Sequence, residues 1–175
     1  MRVIGGAARG RSLRARVPPS VRPTTDFTRE AIFSMLESRG GLRGLVVADL
    51  YCGSGAMGIE ALSRGAREVF FVDDNPACLA AVRENLAPLG LEGRAHLVRA
   101  ALPRWQPPIA LDLVLADPPY GPLDARALLD AVPARRAVIE NDRTTAPPPG
   151  WMVTKSKRYG TTLVTMLEPT NGRDE

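Results

Sequence analysis

The chain contains 175 residues, carries a formal net charge of +4 and is 45% hydrophobic, which suits one domain with a sizeable core and excludes wholesale disorder. Its apolar runs fall well short of the roughly 20 residues of a membrane span, so we expect a cytoplasmic protein with no membrane partner. A single histidine and two cysteines without metal-ligand spacing argue against a metal site and against a serine-histidine-aspartate hydrolase.

The N-terminal segment is basic. Residues 1–25 contain no acidic residue and six arginines, namely Arg2, Arg9, Arg11, Arg14, Arg16 and Arg22. A guanidinium group can bind two phosphate oxygens and release counterions, so this segment predicts a phosphate-binding surface. A solvated basic tail in a GC-rich genome is the alternative. We expect residues 1–40 to form a basic arm and a helix, 41–168 the main domain, and 169–175 a tail.

Helix and strand patterns alternate after this arm. The first helix begins with Thr25 or Asp26 as its cap, and the glycines of 40–44 end it. Strands are predicted at 45–50, 69–72, 95–98, 111–116 and 137–140, with helices at 56–64, 76–89 and 123–132. Segments 152–157 and 161–167 predict an antiparallel hairpin that turns at "RYG" (158–160). The alternation predicts an α/β fold, with a mostly parallel twisted sheet covered by helices on both faces.

A glycine-rich turn follows the first strand in "VVADLYCGSGAMG" (46–58), with Asp49 at the strand end and Gly53 and Gly55 in the turn. The letters also fit the NAD fingerprint, since Asp73 follows Gly53 by about 20 residues. Asp49 favours another cofactor, because a carboxylate here would repel a pyrophosphate but attract the sulfonium and ammonium groups of S-adenosylmethionine. Asp73, or else its neighbour Asp74, would accept hydrogen bonds from the ribose hydroxyls.

The strand at 111–116 ends in "DPPY", residues Asp117, Pro118, Pro119 and Tyr120. The two prolines stiffen the backbone, so the Asp117 carboxylate and the Pro118 carbonyl become two acceptors for one exocyclic amine of a nucleobase. Hydrogen bonds to both N–H groups favour the tetrahedral nitrogen whose lone pair attacks a methyl group, and Asp117 stabilises the charge that develops. Tyr120 offers a face for the unstacked base. The alternative is a chance tetrapeptide in a chain with 16 prolines.

Together these motifs resemble the RsmD family of bacterial 16S ribosomal RNA guanine-N2 methyltransferases. The resemblance runs from residue 2 to about 167 and rests on "RVIGGAARGRSL", "RPTTDFTREAIFSML", "DLYCGSGAMGIEALSRGA", "DPPY" and "KSKRYGTTLV". The glycine turn and "DPPY" are shared with many amino-methyltransferases, whereas the N-terminal motifs are more specific. The resemblance implies a Rossmann-like class I methyltransferase sheet that uses S-adenosylmethionine to methylate a guanine of 16S ribosomal RNA, in the assembled small subunit. We expect a monomer.

The resemblance also assigns roles to individual residues. It implies Asp117, Pro118, Pro119 and Tyr120 at the reacting amine. The cofactor would contact seven residues of the motifs and the strand ends: Asp49, Gly53 and Gly55 on its methionine side, Asp73 at its ribose, Thr25 closing over it, and the backbone of Ala100 and Ala101 at its adenine. Ala100 departs from the family pattern, which has an acid or amide here, so adenine is held by backbone groups or by apolar contacts.

RNA contacts are expected from both ends of the chain. In the arm the predicted RNA-binding residues are Arg9, Arg11, Arg14 and Arg22. Near the C-terminus, "KSKRYG" places Lys155, Lys157 and Arg158 beside a hairpin turn, and alternation puts the two lysines on one face. Lysines that protect an exposed strand against edge pairing are the alternative.

Two other functions stay open at this point. "DPPY" also suits an N6-adenine methyltransferase, although the chain has no room for a separate domain that reads duplex sequence. A non-catalytic RNA-binding or ribosome-assembly protein is the second alternative. The presence of the three acids Asp49, Asp73 and Asp117 argues against it.

Overall fold

The computed structural model describes residues 1–15, 17–18 and 25–170. The helices and strands, in chain order, are α1 (Asp26–Glu37), β1 (Val46–Leu50), α2 (Ala56–Ser63), β2 (Glu68–Asp73), α3 (Pro76–Leu86), β3 (Ala95–Arg99), β4 (Leu113–Ala116), α4 (Ala125–Ala131), β5 (Ala137–Asn141), β6 (Trp151–Tyr159) and β7 (Thr162–Pro169). None of the helices within these ranges combines the length and the apolar character that crossing a membrane requires.

The strands form one sheet in the order β3-β2-β1-β4-β5-β7-β6. The first five strands of this order run parallel, and β7 is antiparallel to both β5 and β6. This arrangement confirms the predicted α/β class I methyltransferase fold with its C-terminal hairpin. The chain order reverses between β1 and β4, so the carboxyl ends of these strands flank the crevice in which open α/β sheets bind ligands.

Different helices cover the two faces of the sheet. Val47 of β1 packs in one apolar cluster with residues of α1, α2 and α3, whereas Val46 and Leu50 pack in a second cluster with α4. Every residue of β1 is buried, as expected for a central strand covered on both faces. Asp49 is the polar residue of this strand, and the alternation of side chains places it on the same face as Val47. A carboxylate is therefore buried near the carboxyl end of β1.

Two predicted boundaries need correction. The predicted turn at 158–160 is wrong by about one residue, because β6 continues through Tyr159, which pairs with Thr162 and leaves Gly160, with its φ of +58°, at the turn. The predicted helix 76–89 ends as an α-helix at Leu86 and continues as a single 3₁₀ turn over Ala87–Leu89. The proline in this turn has no N–H to continue an α-helical ladder, which explains the change.

The N-terminal arm is attached to α2 through a buried carboxylate. Glu60 accepts hydrogen bonds from the backbone N–H groups of Ile4 and Gly5, at 2.8 and 2.7 Å, and from Nε of Arg64 at 2.8 Å. The fully buried Arg29 of α1 lies with its Nε 3.8 Å from the same carboxylate and donates to the carbonyl oxygen of Arg2. One acid of α2 therefore holds both the arm and α1 in place.

Replacing Glu60 by alanine should lower the free energy of unfolding by about 3–5 kcal/mol, because two backbone amides and Nε of Arg64 would lose their acceptor and the buried Arg29 would lose a nearby counter-charge. Urea denaturation measures this difference. Glu37→Ala is the matched control, since Glu37 pairs with Arg64 at 3.4 Å but its side chain is 48% exposed; such a pair contributes at most about 1 kcal/mol. Equal stabilities of the two variants would contradict the anchoring role of Glu60.

Candidate active site

A cavity of about 540 Å³ opens at the carboxyl ends of the central strands. It lies at the reversal of strand order between β1 and β4, where the fold predicts a ligand site. The predicted site residues that line it are Thr25, Asp49, Gly53, Asp73, Asp117, Pro118, Pro119 and Tyr120. The structure thus brings the glycine turn and the "DPPY" corner to one space.

The turn between β1 and α2 has left-handed backbone at two of its glycines. Gly53 has a φ of +53° and lines the cavity, so the missing Cβ lets a ligand approach the main chain. Gly55, with a φ of +77°, lies behind the wall instead, where a Cβ would come within 2.9 Å of Val82. A direct cofactor contact by Gly55 remains a prediction.

Asp49 is a buried acid in the cavity wall. The residue is 3% exposed, and its Oδ2 accepts a hydrogen bond from the backbone N–H of Gly58 at 2.8 Å. Burial raises the pKa of Asp49 well above its usual range, the Gly58 hydrogen bond opposes this shift, and the charges of Asp117 and Asp73 raise the pKa further. A ligand with positive charge would offset both the cost of burying the charged carboxylate and the repulsion from Asp117 and Asp73.

Asp73 is fixed at the rim by the backbone. Its Oδ2 accepts a hydrogen bond from the N–H of Gly53 at 3.1 Å, and its Oδ1 accepts one from the N–H of Asn75 at 2.9 Å. These bonds join the ends of β1 and β2 and leave a carboxylate of defined orientation beside the glycine turn. Such a group suits two neighbouring hydroxyls of a ribose.

Both cysteines lie close to these acids and are unsuited to nucleophilic chemistry. Burial raises the pKa of the Cys52 thiol well above its usual range, and the charge of Asp49 adds to this effect. Burial likewise raises the pKa of Cys78, to about 11, with a further contribution from Asp73. Because the thiolate is the reactive form, both side chains stay unreactive thiols at neutral pH.

The corner after β4 presents a rigid backbone and an aromatic ring to the cavity. Pro118 is buried, whereas Pro119 and Tyr120 are exposed. The Tyr120 hydroxyl forms a hydrogen bond with Oγ1 of Thr162, at 2.9 Å, which ties the ring to the start of β7. The Asp117 side chain is half-buried in the same wall.

Glu140, which none of the sequence motifs predicted, also lines the cavity. It lies in β5 and is 3% exposed. The signal was present in "AVIE" (137–140), an apolar strand that reaches an acid just as β1 and β4 do. Because parallel strands end at one edge of the sheet, acids near the ends of four strands, β1, β2, β4 and β5, meet in one cavity.

The residues predicted at the adenine lie elsewhere. Ala100 and Ala101 follow β3, and the N–H of Ala100 donates to the carbonyl oxygen of Asp73 at 3.1 Å. Neither alanine is among the residues that line the cavity. Their contact with adenine stays a prediction.

The predicted RNA-binding residues lie on two exposed surfaces. Arg9, Arg11 and Arg14 are exposed, and Arg11 donates to the Pro88 carbonyl at 2.6 Å beside a second cavity of about 440 Å³. Arg22 lies outside the described residues. The other predicted residues are exposed on β6, the edge strand of the sheet: Lys155, Lys157 and Arg158.

The chain matches the family described as "Conserved hypothetical protein 95" over residues 1–168. It is 36% identical to "Putative rRNA methyltransferase YlbH" of Bacillus subtilis, covering 96% of this chain and 98% of that protein. It is 31% identical to "Ribosomal RNA small subunit methyltransferase D" of Escherichia coli, covering 91% and 73%. The solved structure of yhhF from Escherichia coli superposes with a TM-score of 0.79 at 27% identity and covers 97% of both chains. The fold, the acidic cavity and these similarities together make the chain a member of the RsmD family of methyltransferases.

Proposed function

We propose that the protein transfers a methyl group from S-adenosylmethionine to the exocyclic N2 of a guanine in 16S ribosomal RNA, in the assembled small subunit. The observation that carries the proposal is the shared cavity: Asp117 and Pro118 line the same cavity as Asp49, Gly53 and Asp73. The names of the relatives in Bacillus subtilis and Escherichia coli support ribosomal RNA as the substrate.

The cofactor side of the cavity fits the charge and shape of S-adenosylmethionine. The buried carboxylate of Asp49 favours a sulfonium and an ammonium group, and Gly53 lets the ligand lie against the main chain. Asp73 binds the ribose hydroxyls. The cofactor supplies an electrophilic methyl group; the protein holds it in place and keeps a carboxylate close to its positive charges.

The acceptor side binds and orients a nucleobase amine. Asp117 and the Pro118 carbonyl accept hydrogen bonds from the two N–H groups of the amine. The lone pair of the amine nitrogen therefore points out of the plane of the base, toward the methyl group. With the cofactor bound, its sulfur would leave as a neutral thioether when the methyl group passes to the nitrogen, and the positive charge that develops on the nitrogen would face Asp117. The methylated amine would then release one proton to solvent. Tyr120 supports the base after it leaves its stack.

The acids of the cavity favour guanine over adenine. Guanine presents the N1–H and the N2 amine side by side, so it offers three N–H donors. The cavity wall contains three residues with acceptor oxygens, Asp117, Pro118 and Glu140. Adenine presents an unprotonated N1 beside its amine, and this lone pair would be repelled by a carboxylate. We assign Glu140 to the guanine N1–H.

Glu140→Gln should lower kcat/KM for guanine-containing RNA about tenfold to 100-fold, because a negatively charged hydrogen-bond acceptor is replaced by a neutral amide that also carries donor N–H groups. Methyl transfer at several RNA concentrations measures the effect, and calorimetry with S-adenosylmethionine serves as the control for folding and cofactor binding. Unchanged kcat/KM would remove Glu140 from the acceptor site.

The direct test of the function is tritium transfer from labelled S-adenosylmethionine to three substrates: small ribosomal subunits from a strain that lacks the protein, naked 16S RNA and duplex DNA. We expect labelled N2-methylguanosine from the subunits. N6-methyladenosine would identify the adenine enzyme instead. A wild-type protein that binds the particles but transfers no label would identify a non-catalytic assembly protein.

A further inference from the structure

An aromatic pair lies on the surface beside the cavity. Phe27, in the first turn of α1, is 69% exposed, although burial of its ring would be favourable. Its ring meets that of Tyr159 edge to face, with a centroid separation of 5.9 Å and an interplanar angle of 74°. The two residues come from distant parts of the chain and form a small apolar platform, in which Tyr159 is half-buried against the core and Phe27 is exposed.

The platform adjoins the rim of the cavity from two sides. At the start of α1, the cap residue Thr25 and Thr28 of the first turn line the cavity on either side of Phe27 in sequence. On the hairpin, Tyr159 pairs across the strands with Thr162, which lines the cavity and is hydrogen-bonded to Tyr120. A molecule that enters the cavity past Tyr120 therefore passes close to the platform.

Positive charge accompanies the aromatic rings. Nζ of Lys157 lies 5.3 Å from the centroid of the Tyr159 ring, and Lys155 and Arg158 are exposed on the same edge strand. The ammonium group lies over the Tyr159 ring, and the exposed ring of Phe27 lies beside that ring. This arrangement matches a nucleotide, whose base stacks on an aromatic ring while its phosphate pairs with the cation. An apolar peptide would use the rings but not the positive charge beside them.

We propose that Phe27 and Tyr159 bind an unpaired nucleotide next to the methylated one, with Lys157 at its phosphate. The proposal rests on the proposed function, because it assumes that the target base leaves its stack to enter the cavity. When a base leaves, its neighbour loses a stacking partner and exposes a ring face. The platform supplies that partner and so offsets part of the cost of unstacking.

The test compares Phe27→Leu, Phe27→Trp and the wild type in methyl transfer to small ribosomal subunits from a strain that lacks the protein. Leucine keeps a large apolar side chain but has no flat face, so KM for the subunits should rise between about fivefold and 150-fold. The Phe27→Trp variant should keep KM within about twofold of the wild type, because tryptophan also offers a flat aromatic face for base stacking. The matched control is Met152→Ala, which removes an exposed apolar side chain on β6 and should leave KM unchanged. Met152 is 44% exposed.

A second measurement separates this proposal from the proposed function. The dissociation constant of a fluorescein-labelled single-stranded RNA heptamer, from fluorescence anisotropy, reports stacking without any chemistry. If the wild type transfers no methyl group, the proposed function fails, and the heptamer alone then decides the stacking site. Weaker binding by Phe27→Leu, restored in Phe27→Trp, supports the site. Equal binding by all variants, with equal KM wherever transfer occurs, overturns it.

Discussion

Replacement of Asp117 by asparagine should reduce kcat for methyl transfer about 100-fold to 1,000-fold, with little change in the affinity for S-adenosylmethionine. Asparagine keeps the shape of the side chain and one acceptor oxygen, but it removes the negative charge that faces the developing ammonium in the transition state. Single-turnover transfer with saturating substrate measures the chemical step, and calorimetry measures the cofactor affinity.

Asp112→Asn is the control for Asp117→Asn, because Asp112 lies at the other end of the same strand. Its Oδ2 accepts a hydrogen bond from the backbone N–H of Val46 at 2.9 Å, far from the cavity wall. We expect this variant to keep its kcat. A value for Asp117→Asn close to that of the wild type would show that the carboxylate does not act on the reacting nitrogen.

Asp49→Asn should weaken binding of S-adenosylmethionine about tenfold to 100-fold and weaken binding of S-adenosylhomocysteine less. The product lacks the sulfonium charge, so the difference between the two ligands isolates the attraction between that charge and the carboxylate. Calorimetry at fixed pH with both ligands gives the ratio. A ratio equal to that of the wild type would contradict the role of Asp49.

The same variant has a defined dependence on pH. Because burial raises the pKa of Asp49 in the folded state, protonation of this group stabilises the fold below the unfolded carboxyl pKa of about 3.9, and this contribution is lost as pH rises through the folded pKa. The free protein with Asp49→Asn should therefore gain stability relative to the wild type as pH rises. Cofactor affinity should change in the opposite sense. In the wild type the affinity for S-adenosylmethionine should rise with pH, because ionised Asp49 binds a cation, and in the Asp49→Asn variant this increase should be absent.

The sequence predicted three of the acids that line the cavity, Asp49, Asp73 and Asp117, and missed a fourth, Glu140. Asp49 and Asp117 each lie at the end of an apolar strand and precede a turn with distinctive glycines or prolines, and parallel strands end at the same edge of a sheet. Glu140 has the same position relative to its strand. It was missed because the residues that follow it, "NDRTT", carry no motif that would mark a turn as functional.

Contacts between distant parts of the chain could not be predicted in the same way. The meeting of Phe27 with Tyr159 depends on how α1 lies against the hairpin, and periodicity within each segment contains no information on that distance. The register of the hairpin had a similar limit. "RYG" contains the expected glycine, but whether Tyr159 ends a strand or begins a turn depends on its cross-strand partner, Thr162.

The attachment of the arm to Glu60 bears on how the protein can be shortened or tagged. Removing the first residues to delete a basic tail would remove two amides that donate to the buried Glu60 and a carbonyl oxygen that accepts from the buried Arg29. Helix α1, whose cap residue Thr25 and first-turn residue Thr28 line the cavity, would then be held less firmly. Affinity handles are therefore better fused after Thr170, beyond the last strand, than before Val3, whose side chain is buried.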